Sequence, residues 1–203
     1  MADKLNVKFE GDKVFLSHPE GAYPMTCVDV IDFGQTVQHI QGTTKIMHKC
    51  MLVFQSEECN PETGAPFLVS QEFTVSLFSG GHLRPFLEAW RGKKYTQAEE
   101  DAGEIPLHKM VGASGLAQIT HGKSKAGRTY ANISSIMRLP KGMEPPTLGK
   151  YERPEWLEKK KAAYMEEYAR HLATEIPVGG AGPSAPGAEY PPLPEDDDDD
   201  LPF

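Results

Sequence analysis

Hydrophobic residues recur mostly at spacings of two along three stretches between Tyr23 and Phe78, and that period predicts three β-strands. Tyr23 to Phe33 carries Met25, Val28, Val30, Ile31 and Phe33, and Gly34 behind it marks a bend or bulge. In Thr43 to Gln55, Cys50, Leu52 and Phe54 alternate with Lys49, Met51 and Val53. The link Glu57 to Pro66 holds Asn60-Pro61 and Thr63-Gly64, residues that favour turns. Phe67 to Phe78 forms the third run, with Val69, Phe73, Val75 and Leu77.

The period then changes. Leu83, Phe86, Leu87 and Trp90 fall at helical spacing within His82 to Trp90, Pro85 is tolerated in the first turn, and Gly92 ends the helix. Trp90, Phe54 and Phe73 read as core residues. Thr96 and Glu99 stand at capping-box spacing. A short helical piece follows at Leu107 to Val111. Gly115 to His121 and Arg128 to Leu139 predict the last two strands, joined by a hairpin loop with Lys123 and Lys125 at its tip. A helix over 154–173 opens at Pro154 and carries Leu157, Tyr164, Tyr168 and Leu172 as a stripe. At the N-terminus, Val7 to Phe9 and Val14 to Leu16 suggest two short strands.

Three strands, a helical excursion, two strands and a helix fit a mainly β, five-stranded OB-type barrel with its helical insertion after strand three. An open antiparallel sandwich is the second choice. The expected organisation is an N-terminal arm or edge hairpin (1–20), the barrel (21–150), a C-terminal helix (151–175) and a disordered linker with an acidic tip (176–203).

Charge changes this picture. The net charge of −8 is uneven, because Glu189, Glu195 and Asp196 to Asp200 follow Glu175 with no Lys or Arg among them. Without those seven the chain has 22 acids against 21 bases. An acidic total therefore does not exclude a nucleic-acid partner. Cys27, Cys50 and Cys59 form no Cys-x-x-Cys pair and fit free thiols in a reducing cytosol. No apolar run reaches membrane-spanning length. Phosphate-loop and nucleophile-elbow motifs are missing and the histidines lack metal spacing, so neither an enzyme nor a cofactor is expected.

The candidate chemistry is the interleaving of cations with aromatic rings. Residues 84–150 hold eleven bases against six acids. Arg91, Lys93 and Lys94 stand beside Tyr95; Lys123, Lys125 and Arg128 stand beside Tyr130; Lys45, His48 and Lys49 extend the set onto strand two. Cations that track phosphates and flat rings that stack on bases are what a flexible single strand requires.

Two resemblances sharpen the reading. Asp198-Asp199-Asp200-Leu201-Pro202-Phe203 is similar to the acidic C-terminal tip of bacterial single-stranded DNA-binding proteins, with leucine where isoleucine is usual. Ser76-Leu77, Trp90-Arg91-Gly92-Lys93-Lys94-Tyr95-Thr96, Met110-Val111-Gly112, Tyr130-Ala131-Asn132-Ile133 and Leu139-Pro140-Lys141-Gly142 resemble the pattern of phage single-stranded DNA-binding proteins with an OB fold. Lys93 and Val111 depart mildly from it.

The resemblances imply single-strand binding with little sequence specificity during phage DNA replication and recombination. They also imply that Asp196, Asp197, Asp198, Asp199, Asp200, Leu201, Pro202 and Phe203 recruit replication, recombination or repair enzymes. The alternative is a recombination mediator or loader that binds proteins first and DNA second. The location implied is the cytoplasm, that of the host if the chain is phage-encoded. The helix over 154–173 packs on the barrel or pairs two copies as a homodimer. A flexible linker would let the acidic tip compete with DNA for the basic groove.

Overall fold

The computed structural model describes residues 16–40, 42–124 and 127–175. The N-terminal strands expected before Leu16, the loop residue Lys125 and the whole acidic tip lie outside them. Five strands form one antiparallel sheet: β1 (Gly21–Ile40), β2 (Thr43–Cys59), β3 (Pro66–Thr74), β4 (Ser114–Lys123) and β5 (Thr129–Arg138), in the order β3-β2-β1-β4-β5. The helices are α1 (Leu83–Arg91), α2 (Gln97–Asp101) and α3 (Glu155–Glu175), with a 3₁₀ turn at Leu107–Met110.

β1 organises the sheet because it changes partners. Gly21–Thr26 pairs with β4, and from Thr26 onward the strand pairs with β2. Two register shifts, at Cys27/Asp29 and Asp32/Gly34, bend it between the two partners. Gly34 has φ +69°, a left-handed conformation that glycine adopts without a Cβ clash, which accounts for the expected bulge there.

β2 is buried on both faces. Cys50, Leu52 and Phe54 join Met25, Val69, Phe73, Leu83, Leu87, Trp90, Ile119 and Ile133 in the larger core. Met51 and Val53 point the other way, into a smaller core with Ile31, Phe33 and Leu157. The unbroken apolar run from Cys50 to Phe54 thus has a physical cause: α1 covers one side of the strand and α3 the other.

α1 ends at Gly92, whose φ of +73° closes a Schellman turn in which the Lys93 amide donates to the Glu88 carbonyl at 3.1 Å. Thr96 and Glu99 form the expected capping box. α3 is held by Leu157 in the small core, by Tyr164 edge-on to Phe33 at 5.3 Å, and by Lys160 Nζ on Glu72 Oε2 at 2.6 Å. Just before it, Asp29 accepts from Tyr151 Oη at 2.7 Å and from Arg153 at 2.7 and 3.0 Å. Burial alone would raise the Asp29 pKa, but these donors hold it below the usual carboxylate range.

Since every neighbouring pair is antiparallel, the edge strands β3 and β5 run in the same direction. Among the described residues no ladder joins them, and the sheet is open at this seam. The third strand ends at Thr74, short of the Phe78 expected from the pattern.

Candidate nucleic-acid interface

Two concavities follow the seam. One, of about 660 Å³, is lined by Gln71–Thr74 of β3, Ile133–Ile136 of β5 and one face of α1. The other, of about 640 Å³, lies at the start of both strands, where Phe67, Leu68 and Ser70 face Arg128, Thr129, Tyr130 and Ala131. Leu16–His18 and Trp156 complete it. β5 carries an extra residue, Ser134, where the register with β4 shifts between Gln118 and Ile119, and the Ser134 hydroxyl donates to the Gln118 carbonyl at 3.1 Å. A bulge in an edge strand interrupts the regular row of donors and acceptors that a neighbouring strand needs. Gln71 faces this seam, and its Oε1 is buried without a partner.

The concavity at the start of β3 and β5 differs from the others in charge. Among the described residues no carboxylate lines it, whereas Glu72, Glu99 or Glu104 lines each of the other three main concavities. Arg128 is exposed on its wall and forms no ion pair among the described residues. Lys123, opposite Thr129 across the hairpin, is exposed beside it and likewise forms no ion pair among the described residues. Tyr130 and Trp156 each keep half their surface open to solvent.

His18 braces the inner end. Its ring is buried between Tyr23, 4.6 Å away, and Phe67, 5.5 Å away. Nδ1 lies 2.8 Å from the Pro19 carbonyl and Nε2 lies 2.7 Å from Ser56 Oγ. A carbonyl can only accept, so Nδ1 carries the proton and Nε2 accepts from the Ser56 hydroxyl. Burial lowers the His18 pKa, against the opposing pull of the Pro19 carbonyl.

The two cation clusters read from the sequence lie at opposite ends of β5. Arg91, Lys93, Lys94 and Tyr95 lie at the end of β5, where Gly92 packs against the side chain of Arg138. Lys123, Arg128 and Tyr130 lie at its start. Ten residues of strand put these groups about 30 Å apart. Arg91 is spent locally, 2.5 Å from Glu99 Oε1 and stacked 4.4 Å above the Tyr95 ring. The Arg91 hydrogen bond, followed by the Thr96 amide, draws the Glu99 carboxyl down to about 2. Tyr95 packs at the edge of the large core. Lys93 and Lys94 stay exposed and form no ion pair among the described residues, and Arg138 joins them as a cation that spacing alone did not reveal.

Of the strand-two residues, Lys45 and His48 lie away from the seam, while Lys49 lines its concavity of about 660 Å³ beside Glu72. Lys45 sits in the far half of the β1–β2 hairpin, opposite Gln38. His48 Nε2 is 2.6 Å from Asp32 Oδ1. Lys49 lies on the α3 side of the sheet, 3.8 Å from Glu72. Trp90 is buried in the large core and its Nε1 donates to the Ser114 carbonyl at 3.1 Å.

Trp156 is the contributor that sequence reasoning left unassigned at this site. Its signal in the sequence was an aromatic stripe shared with Tyr164 and Tyr168, on a helix expected to pack on the barrel or pair two copies. Among the described residues no group of three or more His, Cys, Asp or Glu could hold a metal ion, and no described helix is long and apolar enough to cross a membrane. Comparison with protein families, characterised proteins and solved structures found no match.

Proposed function

We propose that this protein binds single-stranded DNA, with the strand entering along the β3–β5 seam at the β4–β5 hairpin. The observation that carries the reading is the carboxylate-free concavity in which Arg128 and the half-exposed ring of Tyr130 stand together, with Lys123 beside it. A polyanion is attracted to a wall that carries a cation and no carboxylate. Exposed rings next to unpaired cations supply the two interactions a flexible strand needs, stacking and phosphate contact. Lys93, Lys94 and Arg138 offer a second basic group at the far end of β5, so the strand would follow β5 for several nucleotides.

The fold reading goes with it. A sheet in the order β3-β2-β1-β4-β5, a bent β1 shared by two partners, and α1 between β3 and β4 support a five-stranded OB-type domain opened between β3 and β5. The acidic tip, Asp196 to Phe203, would recruit replication and repair enzymes in the manner of the bacterial single-stranded DNA-binding proteins whose tip it resembles.

The test is a titration with oligothymidine and with a duplex of equal length at several salt concentrations. Single strands should bind at least tenfold more tightly. Their log affinity should fall with log salt at about −0.7 per phosphate neutralised. Equal affinity for both forms, or no salt dependence, would exclude this reading. Absence of DNA binding together with tip-dependent capture of a replication enzyme would instead favour the mediator or loader role.

A further inference from the structure

Three separate elements bring aromatic rings to the concavity at the hairpin: Phe67 from β3, Tyr130 from β5 and Trp156 from the first turn of α3. Of these, Tyr130 and Trp156 are 50% exposed. The exposed part of each ring is free to meet a ligand. The volume of about 640 Å³ lies in the range of small-ligand pockets and exceeds what a phosphate needs. Besides Arg128, Tyr130 and the buried ring of His18, the polar residues on its walls are Ser17, Ser70, Ser124 and Thr129.

The charges around Trp156 point the same way. Three carboxylates lie near it in sequence, and each is paired: Glu152 with Lys150 at 2.6 Å, Glu155 with Lys159 at 2.9 Å and Glu158 with Arg153 at 2.8 Å. The α3 wall of the concavity therefore does not repel an anion as three free carboxylates would. Arg128 on the opposite strand has no carboxylate partner among the described residues.

We infer that this concavity is a nucleobase pocket in which an unpaired base stacks on Trp156 and Tyr130 while the adjoining phosphate rests on Arg128. The inference rests on the single-strand reading and deepens it, because it makes α3 part of the DNA site. Helix α3 then does two jobs. Leu157 anchors it in the small core, and the preceding residue presents its indole to the strand. The neighbouring positions diverge by about 100° around the helix, so one faces the sheet while the other faces the pocket.

The molecule supplies its own reporter, since it contains two tryptophans, of which Trp90 is buried and Trp156 exposed. Titration of the full chain with a twelve-nucleotide oligothymidine should quench the long-wavelength tryptophan emission at the concentrations that shift the protein in a gel. In Trp156→Phe the quench should vanish while binding stays within a few-fold, because a phenyl ring still stacks. Trp156→Ala should weaken binding about fivefold or more, with the slope of log affinity against log salt unchanged, since no cation is removed. Tyr130→Ala should weaken binding similarly and leave α3 untouched. A gel shift without quenching, or wild-type affinity in both alanine variants, would overturn the pocket and leave single-strand binding standing. No gel shift at any salt would overturn both.

Discussion

The ring of Tyr130 lies across the backbone of Gly122: a Cβ placed on that glycine would stand 2.7 Å from Tyr130 Cζ and 2.8 Å from its hydroxyl oxygen. The two residues are opposite each other on β4 and β5. Glycine at 122 therefore sets the orientation of an exposed ring, and it does so at the base of the hairpin that carries Lys123 and Arg128.

Gly122→Ala should displace the ring at little cost to the fold, because the clashing atoms are the far end of a movable side chain. We expect unfolding free energy in urea to change by less than about 1 kcal/mol, since Tyr130 is half-exposed. Affinity for oligothymidine should fall about fivefold or more through lost stacking. A variant that folds and binds like wild type would show that the orientation of Tyr130 does not matter.

The three thiols should differ sharply in reactivity. Cys27 and Cys50 are buried, and burial pushes their pKa values up to about 12 and about 11. Cys59 is exposed. Iodoacetamide at pH 8 should therefore label Cys59 alone in the folded protein and all three cysteines after unfolding, read by intact mass. Labelling of Cys27 in the native state would contradict the packing at the β1 bulge.

His18 should make stability depend on pH. Burial lowers its folded pKa below the ordinary value of 6.5. Between the two values the unfolded chain binds the proton and the folded chain does not, so stability rises with pH there. It should be full above 6.5 and fall as pH drops through 6.5 toward the lowered folded value, at no more than about 1.4 kcal/mol per pH unit from this group. His18→Gln should flatten that segment of the profile in urea melts taken from pH 7.5 to 5.

Helix α3 should depend on one side chain. Leu157 is its fully buried residue, packed with Ile31, Phe33, Met51 and Val53. Leu157→Ala should cost about 2–5 kcal/mol if α3 and the sheet unfold together. If α3 detaches alone, its amides should lose hydrogen-exchange protection while those of β1 and β2 keep theirs. In either case Trp156 leaves the concavity, and the tryptophan quench by oligothymidine should weaken.

Removal of residues 195–203 should raise affinity for single strands at low salt, where the tip's aspartates compete best with phosphates. The same truncation should abolish recruitment of a replication enzyme in a pull-down. Unchanged DNA binding in the truncated chain would remove the competition and leave recruitment as the tip's role.

Local features of the chain were legible in its sequence. The strands, α1 with its stop at Gly92, the capping box of Thr96 and Glu99, and the bulge at Gly34 all follow from side-chain period, backbone freedom and short-range hydrogen bonds. The burial of Trp90, Phe54 and Phe73 was legible for the same reason, since each sits on the apolar face of its own element. These are properties of neighbouring residues, which the order of the chain specifies directly.

Relations between distant residues were decided only by the tertiary structure. The cations near Trp90 and those near Tyr130 look alike in sequence, yet β5 holds them about 30 Å apart, and Glu99 and Tyr95 occupy Arg91. Lys49, named as an extension of the basic set onto strand two, meets Glu72 beside α3. Trp156, 26 positions beyond Tyr130 in the chain, reaches the same concavity because Leu157 docks α3 on the sheet. Charge and period can nominate residues one at a time. Which of them share a site depends on strand register, on which face each helix covers and on which charges are already paired. Those are set by the packing of the whole chain.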